Sequence, residues 1–491
     1  VYIVFLNPQG NFDKNDSFWT EHPDFGGQLV YVKELALAMG ELGHKVDIIT
    51  RRFSDERFNV FSEEVDRYPG LSNVRIIRIP CGPEGFLNKE KLWPYLCEWT
   101  KNINNFFKKQ KHFPDFITGH YGDGGLSSAM MKKNLGIPYS FTGHSLGAQK
   151  LDKLRKIYPD IVQLDQKYKF AMRIEAERVA IKNADIIFTS TVQEQKEQYT
   201  HPLYKDLVVD KKKNFVVAPP GANTRVFSSK QQSFDEQFHE KFARVLKRDL
   251  ASSRLDLPSI ISASRLDPKK NHLGLVKAYA SDEKLQEKAN LVISLRGTEN
   301  AYNDYSNLKE DEIEIMNQIM DIIKSAGIEK KVCFISINSQ TELAAFYRYM
   351  VQYKSIFTLT ALYEPFGLAP IEAMSTGLPA AVTKYGGPAD VLYESGKKFG
   401  VLIDAFDEAD IARGLKEVID NHSTYQKLGI ERVNAKYTWH STAKTYANEI
   451  SKQIHKKMDY QTIHISNDFK DSLSNEINLD FIKKTIQEME N

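Results

Sequence analysis

Short apolar, β-branched runs alternate with amphipathic stretches from the first residues of the chain onward. Tyr2 to Leu6 reads as a strand. After a long loop, Leu29, Val32, Leu35, Ala36, Met39 and Leu42 recur at helical spacing, Gly43 supplies a stop, and Val46 to Thr50 reads as the next strand. The rhythm continues through strands at Val74 to Ile79, Phe116 to Thr118, Tyr139 to Thr142, Ile186 to Ser190 and Phe215 to Ala218. A polar, partly helical stretch from Ser228 to Asp256 breaks it, and alternation restarts at Ser259 to Ser264. Leu291 to Leu295, Val332 to Ile335, Ile356 to Thr360, Ala380 to Thr383 and Gly400 to Ile403 follow, each succeeded by a helical segment. Strands separated by helices at this spacing predict βαβ units and parallel sheets, hence an α/β fold.

At 491 residues the chain is long for one core, and the break in rhythm places a domain change near Pro219 to Asn223. The expected division is 1–222 and 223–437, with a helical region from Thr438 and a polar tail from Asp459. Two Rossmann-like parallel-sheet domains facing a central cleft would bring the loops at their strand ends along one groove.

Charge narrows the function classes. Lys plus Arg is 66 against 64 for Asp plus Glu, which favours neither nucleic acid nor a membrane surface as partner. No apolar run reaches bilayer length and the opening residues do not read as a signal peptide, so the expected location is cytoplasmic. Cys81, Cys97 and Cys333 have no metal-like spacing, and no two aspartates stand two apart, so no metal or other cofactor is expected for the chemistry.

The stretch Tyr363 to Ala373 carries two glutamates eight residues apart, Glu364 in a loop and Glu372 in a helix predicted over Leu368 to Thr376. Pro365 and Gly367 keep the loop out of the helix, so the first amides, Phe366 to Leu368, point at a ligand. A carboxylate such as Glu372 can accept two hydrogen bonds from a vicinal diol, while Glu364 lies nearer a reacting sugar. Upstream, Ser264 to His272 follows a strand end, where Arg265 and Lys270 together could balance a diphosphate. Lys269 alone reads as a solvated turn charge. In the first half, Gly26-Gly27 opens the helix near Gln28 and lets bare amides approach an oxygen ligand. His144 follows an apolar strand on a loop with Ser145, Gly147 and Lys150, and its ring or its carbonyl could face a sugar.

The series Ser-Arg-Leu-Asp-Pro-Lys-Lys-Asn271, Glu-Pro-Phe-Gly-Leu368 with Glu372, and Gly-Gly-Pro388 resembles the donor half of retaining GT-B glycosyltransferases. Within them the first half is similar to the sucrose-phosphate synthase family, through Asn-Pro-Gln-Gly10, Pro-Asp-Phe-Gly-Gly-Gln-Leu-Val-Tyr31, His-Tyr-Gly-Asp-Gly-Gly125, Thr-Gly-His-Ser-Leu-Gly147 and Arg-Ile-Glu-Ala-Glu177. The resemblance runs from Asn7 to about Thr438 and implies that 438–491 packs back on the first domain. It implies a nucleotide-sugar site of Gly27, Arg265, Lys270, Glu364, Phe366, Gly367, Leu368 and Glu372. It also implies an acceptor pocket lined by Gly26, Gly27, Gln28, Tyr121, Ser145, Lys150 and Arg173, the latter two taking a phosphate. Lys89 is a further candidate there, and an exposed helix-start charge is the other reading of it. Met172 stands before Arg173 where the family pattern has a second arginine, which removes one flanking phosphate contact.

The implied reaction is glucosyl transfer from UDP-glucose to fructose 6-phosphate with the α configuration retained, His144, Glu364, Arg265 and Lys270 acting at the reacting centre. A separate phosphatase would then remove the product phosphate. A sucrose synthase, a GDP-mannose-dependent mannosylfructose-phosphate synthase and a non-catalytic sugar-nucleotide sensor are the alternatives.

Overall fold

The computed structural model describes residues 1–18, 27–156, 158–208, 214–455, 465, 473 and 479–490. The chain divides into two compact units, one formed by Val1–Pro219 with Thr442–Asn491 and the other by Pro220–Ser441. The change at Pro219 and Pro220 falls within the Pro-Pro-Gly stretch that ends the first series of strands.

The first unit is built on eight strands: β1 Tyr2–Leu6, β2 Lys45–Arg52, β3 Val65–Arg67, β4 Val74–Pro80, β5 Phe116–His120, β6 Tyr139–Thr142, β7 Ile186–Thr189 and β8 Phe215–Val217. Their order is β3-β4-β2-β1-β5-β6-β7-β8, parallel throughout except for β3 against β4. Ile3 stands opposite Val46 on one side and Phe116 on the other, so β1 is central and every residue of it is buried. Helices on both faces leave no polar side for such a strand, which is why its pattern is a continuous apolar run instead of an alternation. β3 was not foreseen: three residues, two of them charged, carry no period, and pairing with β4 is what makes them a strand.

The helix Gly27–Glu41 buries the predicted stripe of Leu29, Val32, Leu35, Ala36 and Met39. The helix Tyr121–Leu135 runs closer to the sheet, because Gly124 lets its backbone approach β1: a Cβ there would lie 2.3 Å from the Leu6 carbonyl oxygen. Late segments complete this unit. Tyr446, in the helix Trp439–Gln453, stacks on Phe188 with ring centroids 3.5 Å apart, and Ile482 and Ile486 of the helix Asp480–Glu490 join the apolar core that holds Ile181 and Ile187.

The second unit holds a fully parallel sheet, β9 Ser259–Ser262, β10 Asn290–Leu295, β11 Val332–Ser336, β12 Ile356–Leu359 and β13 Ala380–Thr383, followed after a short hairpin, β14 Tyr393–Glu394 and β15 Lys397–Lys398, by β16 Val401–Ile403. The sheet order is β11-β10-β9-β12-β13-β16. Ile260 and Ile261 enter separate apolar clusters on the two faces, as do Phe334 and Ile335, so the strands bury apolar side chains on both sides. Each such aliphatic side chain contributes about 1.5–3 kcal/mol of burial.

Strand order reverses between β1 and β5 in the first sheet and between β9 and β12 in the second. The loops leaving the carboxyl ends of strands at such a reversal diverge and leave a crevice, the usual ligand position in doubly wound sheets. Asn7–Gly10 and Tyr121–Gly125 leave the first pair, and Ala263–Asn271 and Thr360–Leu368 leave the second. Among the described residues no helix is long and apolar enough to cross a membrane.

Candidate active site

In the second unit, Lys270 and Glu364 meet although 94 residues separate them: Lys270 Nζ donates to Glu364 Oε2 at 2.5 Å. The pair is largely buried, the side chains retaining 25% and 13% of their exposure. The two loops that bring it together are joined by backbone. Leu362 N–H donates to the Lys269 carbonyl at 2.9 Å, and Thr360 Oγ1 donates to the carbonyls of Lys270 and Asn271. Asn271, in the left-handed conformation, accepts from Gly274 N–H and donates to the Ala405 carbonyl, which anchors the far end of the basic loop.

The Gly-Gly-Pro turn closes on the same loop. Glu364 N–H donates to the Tyr385 carbonyl at 3.0 Å and Gly387 N–H to the Glu364 carbonyl at 2.9 Å. Gly386 has φ +106°, and a Cβ on it would sit 2.0 Å from the Glu364 carbonyl oxygen. Only glycine fits both the dihedral and the contact. Beyond Gly367 the helix Leu368–Thr376 begins where the residue pattern places it. Glu372 lies in its second turn, partly exposed, and its charge reaches the buried Tyr347 hydroxyl. Burial first and Glu372 second push that phenol far above its ordinary range. The Phe366 side chain faces the core, 6.1 Å from the Tyr437 ring, so only its backbone is available to a ligand. Arg265 is exposed and makes no hydrogen bond or ion pair with the described residues.

In the first unit, Lys89, Trp93, Tyr121, Asp123, Lys150 and Arg173 line one pocket. Arg173 is 4% exposed, its guanidinium lies 4.2 Å from the Tyr121 ring, and its Nε donates to Glu177 Oε1 at 2.9 Å. Glu177 also accepts from Gly147 N–H and from the Tyr204 hydroxyl, and Tyr204 in turn accepts from Ala148 N–H. Arg173 Nη2 donates to the Ser145 carbonyl at 2.5 Å and to its Oγ at 3.2 Å. A buried cation with each partner in place is rigid, and it holds the loop around Ser145 and the start of the helix Gly147–Arg155 that carries Lys150. The Lys150 ammonium stands 4.8 Å from the Tyr168 ring.

His144 adopts a left-handed backbone, φ +58°, and its Nε2 lies 2.9 Å from His120 Nδ1, while His120 Nε2 lies 2.7 Å from Thr118 Oγ1. Burial pushes the pKa of His144 down to about 3 and that of His120 well below its ordinary value. The imidazole at this position is therefore neutral, a hydrogen-bonding group and not a cation. Tyr31 meets it edge-on at 5.0 Å, and the Tyr31 hydroxyl lies 3.1 Å from that of Tyr446.

The candidate acceptor residues Lys89, Tyr121, Lys150 and Arg173 thus share one wall, and Ser145 joins them through Arg173. Gly27 opens its helix, and Gln28, second in it, is not among the described residues that line this pocket. Gly26 lies outside the described residues. Lys89 opens a 3-10 turn, partly buried, with Glu90 at 3.9 Å. Sequence reasoning passed over Glu177 and Asp123. Glu177 stands four residues after Arg173 on one helix, a spacing that signals an ion pair. Asp123 sits inside a quoted motif, but nothing local marks it as buried. Among the described residues no group of three or more His, Cys, Asp or Glu side chains is placed to hold a metal ion.

Two doubly wound units with carboxylate, lysine and arginine on the donor-type loops of one and a cationic pocket in the other define a glycosyltransferase of the GT-B class. Residues 1–246 match the family "Sucrose synthase first GT-B domain" and residues 247–432 match "Glycosyl transferases group 1". A probable sucrose-phosphate synthase of Thermosipho melanesiensis is 45% identical over 92% of this chain and 96% of its own length. The mannosylfructose-phosphate synthase of Agrobacterium fabrum is 29% identical over 85% of this chain and 84% of its own. The solved sucrose-phosphate synthase of Thermosynechococcus elongatus superposes with a TM-score of 0.63 at 22% identity, covering 92% of this chain and 98% of that one, a likeness of fold. The chain spans about half the length of the plant relatives it matches. The chain belongs to the sucrose-phosphate synthase family.

Proposed function

We propose that the protein transfers the glucosyl group of UDP-glucose to fructose 6-phosphate, giving sucrose 6-phosphate and UDP with retention at the anomeric carbon. The observation that carries this reading is the acceptor-type pocket: Lys89, Lys150 and Arg173 converge beside Tyr121, a set suited to a phosphate on the sugar and superfluous for fructose itself. The bond from the glucose anomeric carbon to the diphosphate breaks, the anomeric hydroxyl oxygen of fructose bonds to that carbon on the same face, and the hydroxyl proton passes to the departing phosphate. Arg265 and Lys270 take up the charge left on UDP without a metal, Glu372 accepts from the ribose hydroxyls, and Glu364 with the Phe366 to Leu368 amides holds the glucose. Neutral His144 serves as a hydrogen-bond partner for the transferring sugar. The reaction takes place in the cytoplasm, and the phosphate it leaves on the disaccharide is removed by a separate phosphatase.

UDP release measured with and without chelator, with fructose 6-phosphate or fructose as acceptor, tests the reading. Preference for the phosphorylated sugar, undiminished by chelator, is expected. Lys150→Ala should abolish most of that preference, by about tenfold, the loss of one charge-assisted contact. Preference for fructose would make the protein a sucrose synthase. The similarity to a mannosylfructose-phosphate synthase gives a second reading, and release of GDP from GDP-mannose in preference to UDP from UDP-glucose would establish it.

A further inference from the structure

We propose that Asp123 determines acceptor specificity: one carboxylate oxygen, Oδ2, accepts a hydrogen bond from a ring hydroxyl of the sugar whose phosphate the pocket cations hold. This rests on the acceptor assignment above. Lys89, Lys150 and Arg173 bind charge without reading the rest of the molecule. Among the described residues the acidic lining of the pocket is Glu90, which pairs with Lys89, and Asp123. Asp123 is 3% exposed. Its Oδ1 is used twice, accepting from Gly124 N–H at 2.7 Å and from Gln9 Nε2 at 3.4 Å. Its Oδ2 accepts from none of the other described residues, and the amide of Asp123 itself lies beside the carboxylate. The contacts that Asp123, in the first turn of the helix Tyr121–Leu135, makes with Gly124 and Gln9 use only the first oxygen, and an ionised carboxylate has lone pairs on the second for a further donor. Gln9 comes from the β1 loop and Gly124 from the helix after β5, so the carboxylate is held from both sides of the strand-order reversal. Burial pushes its pKa up to about 7, with the amide of Gly124, Gln9 and Arg173 drawing it back toward the carboxylate.

The experiment compares two ligands in two variants. For Asp123→Ala, KM for fructose 6-phosphate should rise at least about tenfold, while the inhibition constant of inorganic phosphate, which carries no hydroxyls to read, stays within about twofold. Asp123→Asn preserves an oxygen for Gly124 and exchanges the second oxygen for a neutral donor. It should raise KM about threefold to tenfold with the phosphate constant again unmoved, and it carries the comparison if the alanine variant does not fold. Unchanged KM in the asparagine variant, or a parallel rise in KM and in the phosphate constant, would reduce Asp123 to a structural link between Gln9 and Gly124 and overturn the inference. Turnover of fructose 6-phosphate by the unaltered protein checks the acceptor assignment separately: its absence would overturn both, whereas turnover with an indifferent Asp123 would overturn only this one.

Discussion

The cation of the first unit's pocket is wrapped mainly by side chains, whereas the loops that carry the Lys270–Glu364 pair in the second unit are joined mainly by backbone. Arg173 is buried and wrapped by Glu177, Tyr121 and Ser145, with Tyr204 and the Gly147 and Ala148 amides behind them. Around Lys270 and Glu364 the loops are joined mainly from carbonyl to amide, through Lys269, Leu362, Tyr385 and Gly387, with the Thr360 hydroxyl and the Asn271 amide adding to them, and Arg265 is exposed with no partner among the described residues. Buried charge networks specify one arrangement at the risk of instability when a member is lost. Backbone-locked loops leave their side chains removable at little cost to folding.

The comparison can be broken most forcefully at Glu177. Glu177→Ala leaves Arg173 buried without its carboxylate and should lower stability by about 3–5 kcal/mol in chemical denaturation. A loss below about 1 kcal/mol would mean that the network is not what holds Arg173. In the second unit the equivalent weak point is a glycine. Gly386→Ala forces a Cβ against the Glu364 carbonyl at a positive φ and should cost on the order of 3 kcal/mol and sharply reduce UDP binding, read by denaturation and calorimetry. Arg265→Ala sharpens the contrast: UDP affinity should fall about 10-fold to 100-fold with an unchanged melting temperature, because the exposed guanidinium has no partner among the described residues to abandon. A shifted melting temperature would contradict that.

The smallest effect is a slope. His144 titrates near 3 in the folded chain against about 6.5 unfolded, so between those values the unfolded state binds the extra proton. Its contribution to stability is complete above about 6.5 and is lost as pH falls toward 3. His144→Gln should flatten the dependence of the denaturation midpoint on pH over that window, and an unaltered slope would show that burial does not keep His144 neutral.

Local features were legible where a period or a special residue marks them. The stripe from Leu29 to Met39, the helix Leu368–Thr376 and the strand β9 stand as their patterns predict, since 3.6-residue and continuous apolar patterns each suit one kind of element. β3 and the β14–β15 hairpin were invisible, because two or three exposed residues gain their structure from a partner strand and carry no period of their own. The site was half legible in the same sense. Motifs marked Arg265, Lys270, Glu364, Lys150 and Arg173, whereas the role of Glu177 lay unread in a spacing and that of Asp123 in a burial.

What the sequence by itself determined is therefore the alternation of elements, the α/β class and the loops rich in charge and glycine, all consequences of interactions between near neighbours along the chain. The tertiary structure decided the order of the strands, and with it which loops meet. Residues 94 apart became the Lys270–Glu364 pair because β9 and β12 lie side by side, a choice made by apolar packing on both faces of the sheet. It also decided which charges are desolvated. Asp123 and Arg173 are ordinary polar letters in the chain, and only the atoms crowded around them turn one into a carboxyl titrating near neutrality and the other into a fixed cation.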